Sequence, residues 1–415
     1  MTNEQTLDVL KNSVTFNMSL GSKELFHSNF LYWLSQTNKI FFLEIMRYLA
    51  GHQNIPFWWE ISNFEVKREY HNFDLCICVK YGNNNKRANR EDKILMPVLI
   101  LENKMKSLPQ ADQLKQYTTK ACDLNKEARN KLATKSNIEK LSIDEKTEIE
   151  NKGSNITFIL LSLLDSDIET NWVKKNYLNL YKAFDTSKDK RLEGLTLDIV
   201  NDYMEFIQSL YSLANNWNLN VDDSFNRKLI FPDKDLEELR IHDIRDKIHS
   251  QLLLKLIRKG LKKDYNIHTN TGYTHQKGLI DVWWKYGDVN LKIQLQGNVY
   301  KHAIEVINNK NQNLDKYCKN EINDGIIKLF LNFTNESEIF KNVVVEEEDG
   351  SVKIMPKNNK QAGKKGYCDK YCYYGKTFAY RYVIISSCEN ISIDDVVKMI
   401  VNDVNEYYKK VTMNS

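Results

Sequence analysis

Apolar residues run unbroken from Val98 to Leu101 and then give way to Glu102, Asn103 and Lys104. A short apolar run of this kind reads as an interior strand with a polar end. Side chains alternate along a strand, so Glu102 and Lys104 share one face and Asn103 points to the other. A short loop leads into a helical pattern on which Gln113 and Tyr117, four apart, lie on one side.

Around this break the pattern predicts an ordered set of elements. Ser22 to Leu49 has helical periodicity, interrupted near Thr37 to Lys39. Asn63–Tyr70 and Phe73–Tyr81 alternate as strands joined by the turn His71-Asn72. Pro97 cannot donate a ladder hydrogen bond, which sets the regular part of the next strand at Val98. Residues 119–155 are charge-rich, with eight Lys or Arg against seven acids between Lys120 and Lys152, and read as a solvated helical insertion. A buried strand over Asn155–Leu164 and helices over Trp172–Phe184 and Leu195–Trp217 follow. The order gives an α/β fold, a central mixed sheet flanked by helices with at least one crossover connection.

From residue 219 the order is similar: a helix over Asp235–Leu261, then strands over Asp264–Thr271, Gly278–Tyr286 and Val289–Gln296. Helical segments around Tyr300–Glu321, strands near Ile326–Asn332 and Thr377–Ser386, and a helix from Ile393 to Lys410 complete it. Two domains are expected, 1–218 and a C-terminal α/β domain over 219–415. In the second, GLIDVWW and LKIQLQG stand where FDLCIC and LILENKM stand in the first. Asp281 matches Asp74, while Gln294 and Gln296 replace Glu102 and Lys104. The second domain reads as a degenerate nuclease-like copy, poorly suited to a divalent metal, or as a substrate-binding unit, or as an unrelated α/β unit obeying the same packing rules.

Composition narrows the class. With 415 residues, 42% hydrophobic and 27% charged, the chain has globular character. A net charge of +4 neither demands nor excludes a nucleic-acid partner. The first residues lack a secretory pattern and the apolar runs are too short to span a bilayer, so a cytoplasmic protein with no membrane partner is expected. Seven cysteines, mostly inside predicted elements, suit reduced thiols, and Cys368 with Cys372 is a weak zinc motif. Val352 to Arg381 holds seven lysines and one arginine against Asp369, interleaved with tyrosines. Lys364, Lys365, Lys370 and Tyr371 are candidate nucleic-acid contacts there; the alternative is a solvated basic loop.

Asp74, at the start of one strand, and Glu102, at the end of the next, bring two carboxylates together. They repel unless a hard divalent cation lies between them, and Mg²⁺ fits, with Mn²⁺ as a substitute. Lys104 beside them can orient water and offset charge on a phosphoryl group, which suits phosphodiester hydrolysis. Each residue also has a plainer reading: Asp74 as a turn residue, Glu24 as a first-turn acid after a Ser22 cap, His27 as a packing residue.

Taken together, KELFHSNFLYWL, FDLCI, LILENKMKS and QLKQY resemble the PD-(D/E)XK nuclease superfamily, specifically its bacterial and phage-associated branch with an ExxHS first helix and a RecB-like QxxxY element. The resemblance covers about Ser22 to Leu164, with Phe73 in place of the family's proline. It implies a restriction-endonuclease-like core with Asp74, Glu102 and the Asn103 carbonyl as metal ligands and Lys104 as catalytic lysine. Glu24 would support the metal, Gln113 and Tyr117 would position Lys104 or the phosphate backbone, and His27 would be an accessory contact. The expected function is a Mg²⁺-dependent nuclease acting on DNA in restriction, phage defence or repair. An RNA nuclease and a catalytically silent binding module of the same fold are the alternatives, and a homo-oligomer or partner subunit is compatible with either.

Overall fold

A computed structural model describes residues 3–19, 23–51, 64–81, 94–105, 109–132, 156–166, 168–187, 192–229, 233–307, 337, 344–346, 352–354, 372–374, 378–385 and 391–413. The chain divides into two compact units, Met1–Asn216 and Trp217–Ser415. Among the described residues no helix is long and apolar enough to cross a membrane.

The first unit opens with two helices that the sequence pattern did not reveal, α1 (Asn3–Asn12) and α2 (Val14–Ser19). Helices α3 (Lys23–Thr37) and α4 (Lys39–Ala50) meet at Asn38, whose side chain accepts a hydrogen bond from the Phe41 N–H. The break expected near residues 37–39 is thus a cap that starts α4. Strands β1 (Phe64–Tyr70), β2 (Phe73–Tyr81), β3 (Ile94–Lys104), β4 (Thr157–Ser162) and β5 (Val173–Asn176) lie side by side in that order. The first three pair antiparallel and the last three parallel, so the sheet is mixed. Helix α5 (Ala111–Leu132) lies between β3 and β4 in the chain, as a parallel pair requires of its connection.

Two expectations change here. Strand β3 begins at Ile94, not Val98, because the register shifts between Ile77 and Cys78. Ile77 faces Leu99 and Cys78 faces Pro97, leaving Val98 as the extra residue of a bulge. Pro97 is tolerated because the pairing with β4 starts only at Leu99. Val173–Asn176, expected as helix, is β5, and the helix α6 (Tyr177–Ser187) starts after it.

Helix α5 covers one face of the sheet, where Phe73, Cys76, Cys78, Ile100, Leu114, Ala121, Leu160 and Trp172 form a buried cluster. Helices α3 and α4 lie on strands β1 to β4, α4 packs on α6, and α6 on α7 (Gly194–Asn215). Both faces of β3 are therefore covered, which explains its unbroken apolar run.

The second unit holds α8 (Phe225–Leu229), α9 (Lys234–Glu238), α10 (His242–Gly260) and α11 (Ile393–Met413). Strands β6 (His268–Thr274), β7 (Lys277–Tyr286), β8 (Val289–Gln296) and β9 (Val299–Val306) form a meander. Short pieces β10 (Val344–Glu346) and β11 (Val352–Ile354) pair with each other, while β12 (Cys372–Tyr374) and β13 (Phe378–Ile384) extend the meander sheet beyond β9. Helices α10 and α11 pack together, and Leu253, Ile257, Ile293, Val396 and Val404 belong to the core that they share with the sheet.

Tyr300–Val306, expected as helix, is β9. Gly297, at φ +58°, turns the chain between Gln296 and Val299 in two residues. The expected strand at Ile326–Asn332 and the rest of the expected helix to Glu321 lie outside the described residues, as do 133–155 of the insertion. The paired strands here are antiparallel, and β8 turns straight into β9 where β3 leads into a helix and a parallel strand. The similar order of elements in the two halves does not extend to a common sheet topology.

Candidate active site

Leu75 lies opposite Leu101 in the antiparallel pair of β2 and β3, so the next position along each strand sets Asp74 across from Glu102 on the α5 face. The backbone N–H of Asn103 donates to Asp74 Oδ2 at 2.7 Å, fixing the carboxylate at the end of β3. Lys104 Nζ lies 2.8 Å from Glu102 Oε1. The carbonyl of Lys104 accepts from Leu163 N–H after β4. Asn103, one residue earlier, accordingly turns its amide and carbonyl toward the β2 side. From α5, Gln113 Nε2 donates to Tyr117 OH at 3.0 Å, and the Tyr117 ring meets Phe73 edge-on.

These groups form one electrostatic cluster. Glu102 is only 2% exposed. Burial, then the neighbouring Asp74 charge, push its carboxyl up to about 7 against the opposing pull of Lys104. Burial also raises the Tyr117 phenol, with the Glu102 charge adding to it. Glu102 Oε2 is buried with no hydrogen-bond partner among the described residues. Leaving such an oxygen unsatisfied is costly, and a cation between Asp74 and Glu102 would both satisfy it and remove the repulsion. Two carboxylates with a main-chain oxygen and waters are a set that Mg²⁺ accepts. Among the described residues no three His, Cys, Asp or Glu gather into a larger metal-binding group. Glu24 falls in the first turn of α3, but its side chain lies outside the described residues.

Asn103 points through to the other face, where Tyr177 OH donates to its Oδ1 at 2.7 Å. His27 packs against that same Tyr177, ring centroids 5.1 Å apart, and pairs through Nδ1 with Tyr203 OH at 2.9 Å. The sequence suggested an accessory contact at His27. The structure instead seals it at 0% exposure on the face opposite Glu102, where burial lowers its imidazole to about 3. It is a neutral packing and hydrogen-bonding residue behind the strand. Tyr177 and Tyr203, which hold this back side, were missed, because a tyrosine in an apolar helical pattern looks like any other core residue.

In the second unit, Gln294 Nε2 donates to Asp281 Oδ1 at 2.6 Å and Gln296 Nε2 to Thr274 O at 3.1 Å. Lys301 on β9 donates to Gln296 Oε1 at 2.6 Å. The Gln294 amide thus holds Asp281, and no carboxylate stands at the positions of Gln294 and Gln296. Lys364, Lys365, Lys370 and Tyr371, like Cys368, lie outside the described residues. Cys76 and Cys78 are free and buried, whereas Cys122 is free and exposed. Comparison with family models, with curated proteins and with solved structures gives no match to this chain.

Proposed function

We propose that the first unit is a Mg²⁺-dependent nuclease that hydrolyses phosphodiester bonds of DNA, with a restriction-endonuclease-like core of the PD-(D/E)XK type. The observation that carries this reading is the Asn103–Asp74 hydrogen bond beside Glu102 and Lys104, which sets two carboxylates and an ammonium at one strand end. Asp74 and Glu102 would hold the ion, joined by the Asn103 carbonyl. A bound Mg²⁺, or Mn²⁺, supplies Lewis-acid polarisation of a phosphoryl oxygen. Lys104 holds its ammonium against Glu102, within reach of the same place, where it orients the attacking water and offsets charge on the phosphate. Gln113 and Tyr117, bonded to each other, form a fixed polar edge on α5 that can meet the phosphate backbone. Restriction, phage defence or DNA repair would each use such an activity.

The test incubates purified protein and Lys104→Ala with linear, circular and single-stranded DNA and with RNA, in Mg²⁺ or in chelator. Cleavage of DNA in Mg²⁺, abolished by chelator and reduced at least about a hundredfold in the variant, supports the reading. Preferred cleavage of RNA moves the activity to that substrate. Failure to cleave any of them, or equal cleavage by the variant, overturns the enzymatic reading, and the Lys104–Glu102 pair is then a structural ion pair of a silent binding module.

A further inference from the structure

Positive and negative side chains nearly balance over the whole chain, 59 against 55, but from Lys247 to Lys263 it carries six Lys or Arg and no Asp or Glu. Lys247 is buried, while Arg258, Lys259, Lys262 and Lys263 are exposed. These four stand at the C-terminal end of α10 and in the turn that leads to β6, an edge strand of the second sheet. The basic segment that the sequence marked includes β12, at the opposite edge, so this is a separate patch.

The framework beneath these cations is tied to the core. Arg258 donates through Nε to Thr269 Oγ1 at 2.6 Å and through Nη2 to the Thr269 carbonyl at 3.3 Å, so its guanidinium is braced on β6 without a carboxylate. Lys262 and Lys263 sit in a turn in which the Tyr265 N–H donates to the Lys262 carbonyl at 3.3 Å. Tyr265 stacks on Tyr408 of α11, ring centroids 4.2 Å apart, and the Asn266 N–H donates to Tyr408 OH at 3.1 Å. Gly260 brings the end of α10 onto α11, since a Cβ there would lie 2.8 Å from Val401 Cγ2. Cations carried in this way lose little freedom when a partner binds.

Among the described residues none of the four forms an ion pair, and Asp264 alone follows them in the turn, which leaves a surplus of three positive charges. Arg258 and Lys259 complement the α10 dipole, but that effect ends within the last turn and does not account for Lys262 and Lys263. A polyanion fits such a surface. A membrane-binding patch would set large apolar side chains beside its cations for insertion, and among the described residues no exposed large apolar side chain lies between Lys247 and His268. Leu256, Leu261 and Ile267 pack against the core instead. Tyr265 is engaged by Tyr408 and by the Lys262 ammonium, 5.4 Å from its ring centroid, which fixes the turn rather than offering a base a face to stack on. We propose that this patch grips the sugar–phosphate backbone of DNA without regard to sequence. The choice of DNA as the polyanion rests on the nuclease reading, which the patch deepens by giving the second unit a share in holding the substrate.

Binding of the full-length protein to two short duplexes of unrelated sequence is measured by fluorescence anisotropy at several salt concentrations, in chelator so that cleavage plays no part. The variant Arg258→Gln/Lys259→Gln/Lys262→Gln/Lys263→Gln is compared with Lys11→Gln/Lys182→Gln/Lys234→Gln/Lys285→Gln, which removes the same charge from other exposed positions. Each phosphate contact contributes about 0.9 to the slope of log K against log salt. The patch variant should lose about 2–4 of that slope and bind both duplexes at least about tenfold more weakly, whereas the control variant keeps the wild-type slope. Lys259→Gln/Lys263→Gln, which spares the contacts of Arg258 and Lys262, should lose about half as much while circular dichroism stays unchanged. A slope that the patch variant leaves unchanged, an equal loss in the control, a loss confined to one duplex, or tighter binding to phosphatidylserine vesicles or poly-glutamate than to DNA overturns the proposal. DNA binding that falls with the patch, in a protein that cleaves nothing, would defeat the nuclease reading alone. Cleavage by a protein whose DNA binding ignores the patch would defeat this proposal alone.

Discussion

His27 shows how burial alone can determine what a residue does. Its ring is enclosed by Phe26, Tyr177, Tyr203 and Phe206, and desolvation lowers its imidazole from 6.5 to about 3. Between those values the unfolded chain binds a proton that the folded chain does not. Stability therefore rises with pH across this window and is lost as pH falls below about 6.5. His27→Gln, which keeps a polar group near Tyr203 OH, should flatten the loss between pH 6.5 and 4 in urea titrations followed at several pH values. His249 in the second unit, lowered to about 3 chiefly by burial, supplies a remaining slope in that unit. An unchanged acid limb in first-unit probes such as hydrogen exchange of α3 would rule this account out. The placement of Glu102 and Lys104 at a strand end was legible because charged residues interrupt an apolar run there, and that of Gln113 and Tyr117 on one helix side because they lie four apart. The burial of His27 was not, because three of the four aromatic rings that enclose it, Tyr177, Tyr203 and Phe206, come from α6 and α7, some 150 or more residues later in the chain.

At the scale of elements, β3 is held from both faces, and the two attachments meet at Asn103. Its amide belongs to the acid cluster under α5, and its side chain to Tyr177 at the start of α6. Tyr177→Phe keeps the ring against His27 but leaves Asn103 Oδ1 buried without this donor. A loss of about 1–3 kcal/mol is expected in urea unfolding. A shift within error of zero would show that Asn103 finds another donor. Element boundaries were read well where turns carried their own mark, as His71-Asn72 does with φ of 55° and 72°. They were misread where two periods fit one stretch. Tyr300, Ala303 and Ile304 suit a helical face, yet Tyr300, His302, Ile304 and Val306 suit a strand equally, and the Gly297-Asn298 turn before them decides. Pro97 misled for the opposite reason, since a bulge removed the penalty that a regular ladder would have imposed.

Over the whole molecule, each unit has a core of its own, and the second is tied by a buried polar knot with no counterpart in the sequence reading. Asp403 on α11 accepts from Tyr300 OH at 2.5 Å, His302 Nε2 at 2.6 Å and Ser337 Oγ at 2.6 Å. Burial opposes its ionisation, yet His302 foremost, with Ser337 and Tyr300, holds the carboxyl below its ordinary range. No spacing rule links residues about a hundred positions apart, so this contact emerges only from the packing of α11 on the sheet. Asp403→Ala would remove the acceptor that Tyr300, His302 and Ser337 share, a loss on the order of 1–3 kcal/mol or more in all. Because Met1–Asn216 has its own sheet and helices, the damage should stay within Trp217–Ser415. Hydrogen exchange read peptide by peptide should show α10, β7 and β8 losing protection in the variant while α3, β3 and α5 keep theirs. Equal loss in both sets would mean that the two units unfold as one cooperative body, and the cleavage proposed for the first could then not be tested apart from the integrity of the second.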